Sequence, residues 1–251
     1  ADLAGAEPCP LEGCEKFVLK FPQKILEQFV ESFSFIQTLS VAPETSIVED
    51  YLEWRWSNQW GPVPEGSQSI AKMRLVCMAQ GDSEAILDQF DCLSPYDKNV
   101  LGWEMAMTGC RGQHFVRDTL AETEHHKKGP AFLVYYAPAL MQRAGKKDPR
   151  GALVVLAEVF RKARLLWPLA ARDIDKCVTV RIDALKELEV SSIMKPESGM
   201  QFVLSKTSSI EAVVQTKHID EFQDLDWRKH QVLTFSTGRR TTLKRRRTQI
   251  S

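Results

Sequence analysis

Six cations fall within nine residues near the C-terminus: Arg239, Arg240, Lys244, Arg245, Arg246 and Arg247, in the run GRRTTLKRRRTQIS. No acid interrupts them, and charges of one sign cannot be packed together into a core. Their chemistry is phosphate recognition. Lys and Arg neutralise phosphates and release counterions, and guanidinium groups fork onto phosphate oxygens. The run is the candidate nucleic-acid-binding site, for RNA or another polyanion. The same composition would serve as a nuclear-localisation signal, fold back on an acidic body, or stand as a solvated end. Cations gathered this way repel one another, which favours a partner over simple solvation. Thr242 and Thr248 each follow an Arg-Arg-x pattern that basophilic kinases favour, and a phosphate there would cancel up to about two charges.

The charge balance sharpens that reading. Overall 33 bases meet 33 acids, a net of zero. After Asp226 there is no acid, and Arg228 and Lys229 join the six cations of the tail. Residues 1–227 therefore hold 25 bases against 33 acids, a net of −8. An acidic body ending in a basic tail suits a protein that grips a polyanion at one end.

Other constellations have plainer explanations. Gly109-Cys110-Arg111-Gly112 is a G-x-x-G, the loop with which KH domains clamp an RNA backbone. A KH helix needs apolar positions after that loop, and Asp118 stands where one is due, so a helix cap and a turn explain the glycines better. Trp54, Trp56 and Trp60, with Tyr51, could stack on bases, but tryptophans are more often core or interface residues. Cys9 and Cys14 would supply half a zinc site. His125-His126 is a solitary pair and the other cysteines are single, so no metal is expected. The P-loop, dinucleotide-binding, nucleophile-elbow and zinc-protease motifs are absent. Glu122, Glu124, Asp173, Asp175 and Asp183 read as helix surface. No cofactor is expected, and a non-enzymatic role is favoured.

The elements that must carry the tail read as helices. The stretch from Gly129 to Ala171 is the middle of the chain, two apolar segments around the turn Gly145-Lys146-Lys147-Asp148-Pro149. Pro130 and Pro149 suit first helical turns, and Gly129 and Gly145 suit the caps of preceding helices. Leu153, Leu156, Phe160 and Ala163 recur at helical spacing while Glu158, Arg161, Lys162 and Arg164 can face away, so the stretch is expected to be a helical hairpin. Upstream, Ile25, Leu26, Phe29, Val30, Phe33, Ile36 and Leu39 line one broad helical face. Ser46 and Glu49 form a possible capping box for a helix to about Trp56, although Leu52, Trp54 and Trp56 also alternate. Helices are expected at about 68–80, 83–92, from Ser94-Pro95 to Gly109 with Asp97 at the capping-box position, and from Gly112 to His126. Arg172 to Val190 reads as helix, with VTVRI able to pair as a strand. From Met200 the period changes, and MQFVLSK, SIEAVVQTK and HQVLTFS read as strands.

The expected fold is therefore mainly α: an array or bundle of helices with a small C-terminal β element and a basic tail. Its divisions are an extended arm over 1–16, a helical domain over 17–195, the β element over 196–237 and the tail over 238–251. Six scattered cysteines suit buried free thiols in a reducing, intracellular compartment. The first residue, Ala1, suits either a trimmed precursor, as in an imported organellar protein, or removal of the initiator alone, as in many cytosolic ones; the mitochondrial matrix is a candidate location and the nucleus the alternative. No window supplies the roughly 18 apolar residues of a membrane span, and no signal peptide is evident. The expected function is a structural or interaction subunit of a larger assembly, among other protein subunits: a ribonucleoprotein, such as an organellar ribosome, anchored by the tail. The alternatives are a viral nucleocapsid- or matrix-type protein that self-assembles, and an enzyme with an unrecognised helical fold.

Overall fold

Along Ala131–Tyr135, Phe132 and Val134 are buried while Leu133 and Tyr135 are exposed. That period of two belongs to a strand, not a helix. In the computed structural model, which describes residues 27, 30–79, 83–107, 128–197, 199–222 and 225–235, the segment is strand β1 at the edge of a five-stranded sheet. The other strands are β2 (Cys177–Arg181), β3 (Met200–Lys206), β4 (Glu211–His218) and β5 (His230–Val232), in the order β1-β2-β4-β3-β5. β1 runs parallel to β2, pairing Phe132 with Val178 and Val134 with Val180, and β2 runs parallel to β4. β3 is antiparallel to both β4 and β5.

This overturns the mainly α expectation. The fold is mixed α/β, and the three C-terminal strands are not a separate small element but part of one mixed sheet with β1 and β2. The reason lies in the connections. Parallel strands cannot be joined by a tight turn, so β1 reaches β2 through helices, and no hairpin signal marks either strand. The first arm of the expected hairpin divides into β1 and α6 (Ala137–Lys147), while the second arm is α7 (Pro149–Leu166). Residues 172–190 hold β2 and turns rather than a long helix, so the strand alternative for VTVRI is the correct one.

The remaining helices are α1 (Phe33–Thr38), α2 (Glu44–Trp60), α3 (Ser69–Ala79), α4 (Ser83–Asp91), α5 (Pro95–Met107) and the short α8 (Val190–Met194). α3, α4 and the start of α5 lie where the sequence places them. The expected helix over 112–126 lies outside the described residues. The loop between α2 and α3 turns at Gly61 and Gly66, with φ of 87° and 90°, a conformation that glycine adopts without steric cost.

α7 is the centre of the core. Pro149 opens it, and Asp148 caps it by accepting the Gly151 N–H at 2.8 Å. Leu153, Val155, Leu156, Val159 and Phe160 are all buried, as a helix enclosed on nearly every side requires. They pack with Phe132, Val178, Val180 and Leu204 of the sheet and with Leu101 and Leu140 of the neighbouring helices. Each such side chain contributes on the order of 1.5–3 kcal/mol through burial. At Gly151 a Cβ would collide with Val190 and with the Asp148 carboxylate, so the approach of α8 depends on that glycine. Gly145, expected as a cap, lies inside α6, which runs on to Lys147.

The chain divides into two compact units, Ala1–Trp54 and Arg55–Ser251. In the first, Phe35 packs against Tyr51 and Trp54 at ring-centroid distances of 5.5 and 5.4 Å. Val30, Phe33, Ile36 and Leu39, expected as a core face, are exposed. Ile25, Leu26 and Phe29 lie outside the described residues. α2 settles the ambiguity over 46–56 as helix, but it starts at Glu44, so Ser46 and Glu49 do not form its cap. The second unit contains the sheet, α7 and everything that follows.

Candidate functional site

The six tail residues Arg239, Arg240, Lys244, Arg245, Arg246 and Arg247 lie outside the described residues, as do Thr242 and Thr248. So do Cys9, Cys14, the loop from Gly109 to Gly112, Glu122, Glu124 and the His125-His126 pair. Where charge gathers in the described part of the second unit is a cleft of about 970 Å³ along one flank of α7.

The start of α5 builds one wall. The Ser94 hydroxyl donates to Asp97 Oδ2 at 2.7 Å, and the Asp97 N–H donates to Ser94 Oγ at 3.1 Å. This is the capping pair expected from the sequence, and it turns the other Asp97 oxygen toward α7. On α7 the residues Val154, Glu158, Arg161 and Leu165 fall at helical spacing along the cleft floor. Arg161 bonds Asp97 through Nη1 and donates from Nε to Glu158 Oε2 at 2.8 Å. Burial alone would lower the Arg161 pKa, but its hydrogen bonds to Asp97 and Glu158 outweigh that and hold it above its ordinary value.

Deeper along the same flank, Arg164 forks onto Glu104 of α5, with Nε at 3.0 Å from Oε1 and Nη2 at 2.7 Å from Oε2. Its guanidinium lies 4.3 Å from the centre of the Phe132 ring and also donates to the Pro130 and Trp167 carbonyls. Burial pushes the Glu104 carboxyl above the usual carboxylate range, against the pull of Arg164.

The third element is the chain just beyond β5. Glu158 Oε1 accepts the Thr234 N–H at 2.8 Å and the Thr234 hydroxyl at 3.0 Å, and lies 3.5 Å from Lys162 Nζ. Asp97, Glu104 and Glu158 therefore already accept hydrogen bonds from neighbouring cations. Their arrangement braces α5, α7 and the segment after β5, and Tyr96, Val100, Leu165 and Met194 supply the apolar part of the lining.

Sequence reasoning missed this cluster. Glu158 was expected to face away, yet it is 3% exposed. The one signal in the sequence was its spacing to Arg161 and Lys162, three and four residues on, within an otherwise apolar helix. Asp173 and Asp183, expected on helix surfaces, lie in a short 3-10 turn and just after β2. Trp56 is buried and donates from Nε1 to the Pro62 carbonyl at 2.9 Å, beside Trp60, which makes it packing and not an open stacking platform. Cys77, Cys92 and Cys177 are free thiols, as expected, but Cys92 and Cys177 are exposed and only Cys77 is half-buried.

Among the described residues, no group of three or more His, Cys, Asp and Glu could hold a metal ion. No described helix is long and apolar enough to cross a membrane. Comparison with protein-family models, with curated proteins and with solved structures gave no match.

Proposed function

We propose that this protein is an interaction subunit of a larger ribonucleoprotein assembly, anchored on RNA through Arg239, Arg240, Lys244, Arg245, Arg246 and Arg247. The observation that carries the reading is the separation of charge: a net of −8 over residues 1–227, and no acid at all in the segment that holds these six cations. An acidic body repels phosphate, so the tail is where a polyanion can be held. Two features of the folded part support it. The carboxylates lining the cleft, Asp97, Glu104 and Glu158, are paired with Arg161, Lys162 and Arg164, an arrangement suited to bracing elements together. Val30, Phe33, Ile36 and Leu39 are left exposed on and around α1, apolar surface of the kind that other subunits cover.

The test is the composition of the native particle. Purified gently from its source, the chain should come with several different proteins and a defined RNA. Self-assembly of the chain around heterogeneous RNA would favour the nucleocapsid-type alternative. A stable monomer carrying a bound metabolite would favour an enzyme and overturn the proposal.

A further inference from the structure

All six tryptophans are among the described residues, and Trp54, Trp56, Trp60, Trp103 and Trp167 are buried or half-buried. Trp227 is 68% exposed. An indole is a large apolar surface that folding normally covers, so one left open points to a ligand or partner. The turn that carries it, just before β5, is firmly held. The Asp226 carbonyl accepts the Lys229 and His230 N–H groups, each at 2.9 Å, and Asp226 Oδ1 accepts the Arg228 N–H at 3.0 Å. Gln231 Nε2 donates to the Trp227 carbonyl at 2.7 Å, and the Lys206 N–H of β3 donates to the Lys229 carbonyl at 2.7 Å. The ring is open while its backbone is fixed, so binding there costs little ordering.

Cations gather around the ring. The Arg228 guanidinium lies 5.3 Å from the indole centre, Lys229 follows, and both are exposed. The sequence holds no acid after Asp226, and one Asp226 oxygen is turned onto the backbone of the turn itself. The adjoining His230 has its pKa lowered, first by burial and then by Lys217 of β4, with Asp226 opposing and Lys229 adding to the effect. Positive charge thus reaches this turn from β4 as well. A flat aromatic face beside cations suits single-stranded nucleic acid, whose bases stack on the ring while its phosphates meet the cations; in a duplex the base faces are already covered. We propose that Trp227 is a stacking platform for a base of single-stranded RNA, with Arg228 and Lys229 receiving the phosphates beside it. This role rests on the reading of the chain as an RNA-binding subunit and adds to it a contact on the folded part, separate from the six cations of the tail.

Binding of a short single-stranded oligoadenylate to the full chain over a range of salt tests it, in wild type, Trp227→Ala, Trp227→Leu and Trp227→Phe. A lost base stack weakens binding about 5- to 150-fold, the effect expected of Ala and Leu; Phe keeps a flat ring and should lose far less. The slope of log K against log salt should stay as in wild type, since stacking releases no counterions. Arg228→Gln with Lys229→Gln should instead flatten it, by about 0.7 for each phosphate no longer neutralised. Unfolding midpoints should not move, because the ring is exposed; were Trp227→Ala to fail, the Leu and Phe variants carry the comparison. Folded Ala and Leu variants that bind as wild type does would overturn the platform and leave the indole to a protein partner. Equal losses with Leu and Phe would overturn it too. A chain lacking residues 238–251 separates the two claims. Binding that is lost with the tail but indifferent to Trp227 keeps the anchor and removes the platform. Binding that survives the deletion yet needs Trp227 does the reverse, and an intact chain that binds no RNA removes both.

Discussion

Arg164 and Glu104 form a two-point ion pair whose side chains are only 18% and 7% exposed. The pair joins α7 to α5, and the Arg164 guanidinium also covers the Phe132 ring of β1, so one side chain links two helices and the edge of the sheet. Removing one partner leaves the other charge buried and uncompensated, which typically costs about 3–5 kcal/mol, whereas replacing both by apolar groups is often near neutral. Arg164→Met should therefore lower the denaturant midpoint strongly, and Arg164→Met combined with Glu104→Leu should recover most of the loss. Equal losses in the single and double variants would show that the pair is not what joins these elements.

The same pair fixes a pH dependence. Burial raises the Glu104 pKa in the folded state. Between the ordinary glutamate value of about 4.3 and the raised one, the unfolded chain has released its proton while the folded chain keeps it. This residue's contribution to stability is thus greatest below that window and declines as pH rises through it. Wild type measured against Glu104→Gln, which does not titrate, should lose stability on that rise. A gain would show that the attraction of Arg164 outweighs burial.

Phe160 and Phe33 both look like core residues in the sequence, and the structure separates them. Phe160 is 3% exposed at the centre of α7, and Phe33 is 49% exposed on α1. Phe160→Ala should cost about 3–5 kcal/mol through the cavity it leaves. Phe33→Ala should cost no more than about 0.5 kcal/mol in the isolated chain, as exposed substitutions do. Unfolding midpoints of the two variants decide it, and similar losses at both sites would contradict this difference in burial.

What could be read from the sequence follows a physical line. α7 was legible because Pro149 starts it and Leu153, Leu156 and Phe160 repeat at helical spacing. β3 and β4 were legible because the short polar break Thr207-Ser208-Ser209 separates two alternating runs. β1 was not, since AFLVYY flows without a break into Ala137 and Pro138 of α6 and its partner β2 lies more than forty residues away. The cleft was least legible of all. Glu104 on α5, Glu158 and Arg164 on α7 and Thr234 beyond β5 come together only through packing, and a charged residue on a helix reads as solvent-facing until its partner on another element is known. The chemistry proposed for the tail rests on consecutive residues alone, and these lie outside the described residues.

The salt dependence of RNA binding tests that chemistry most directly. Intact chain and a chain lacking residues 238–251 are titrated with a single-stranded RNA over a range of salt, with unfolding midpoints checking that both bodies are folded. Every phosphate that the shortened chain no longer neutralises should remove about 0.7 to 0.9 from the slope of log K against log salt. The deletion should therefore weaken binding strongly and flatten the slope. Replacing Arg239, Arg240, Lys244, Arg245, Arg246 and Arg247 with Gln should act like the deletion, and shuffling the tail at constant charge should change little. An intact chain that shows no salt-dependent RNA binding, or a truncated one that binds equally well, would contradict anchoring through the tail.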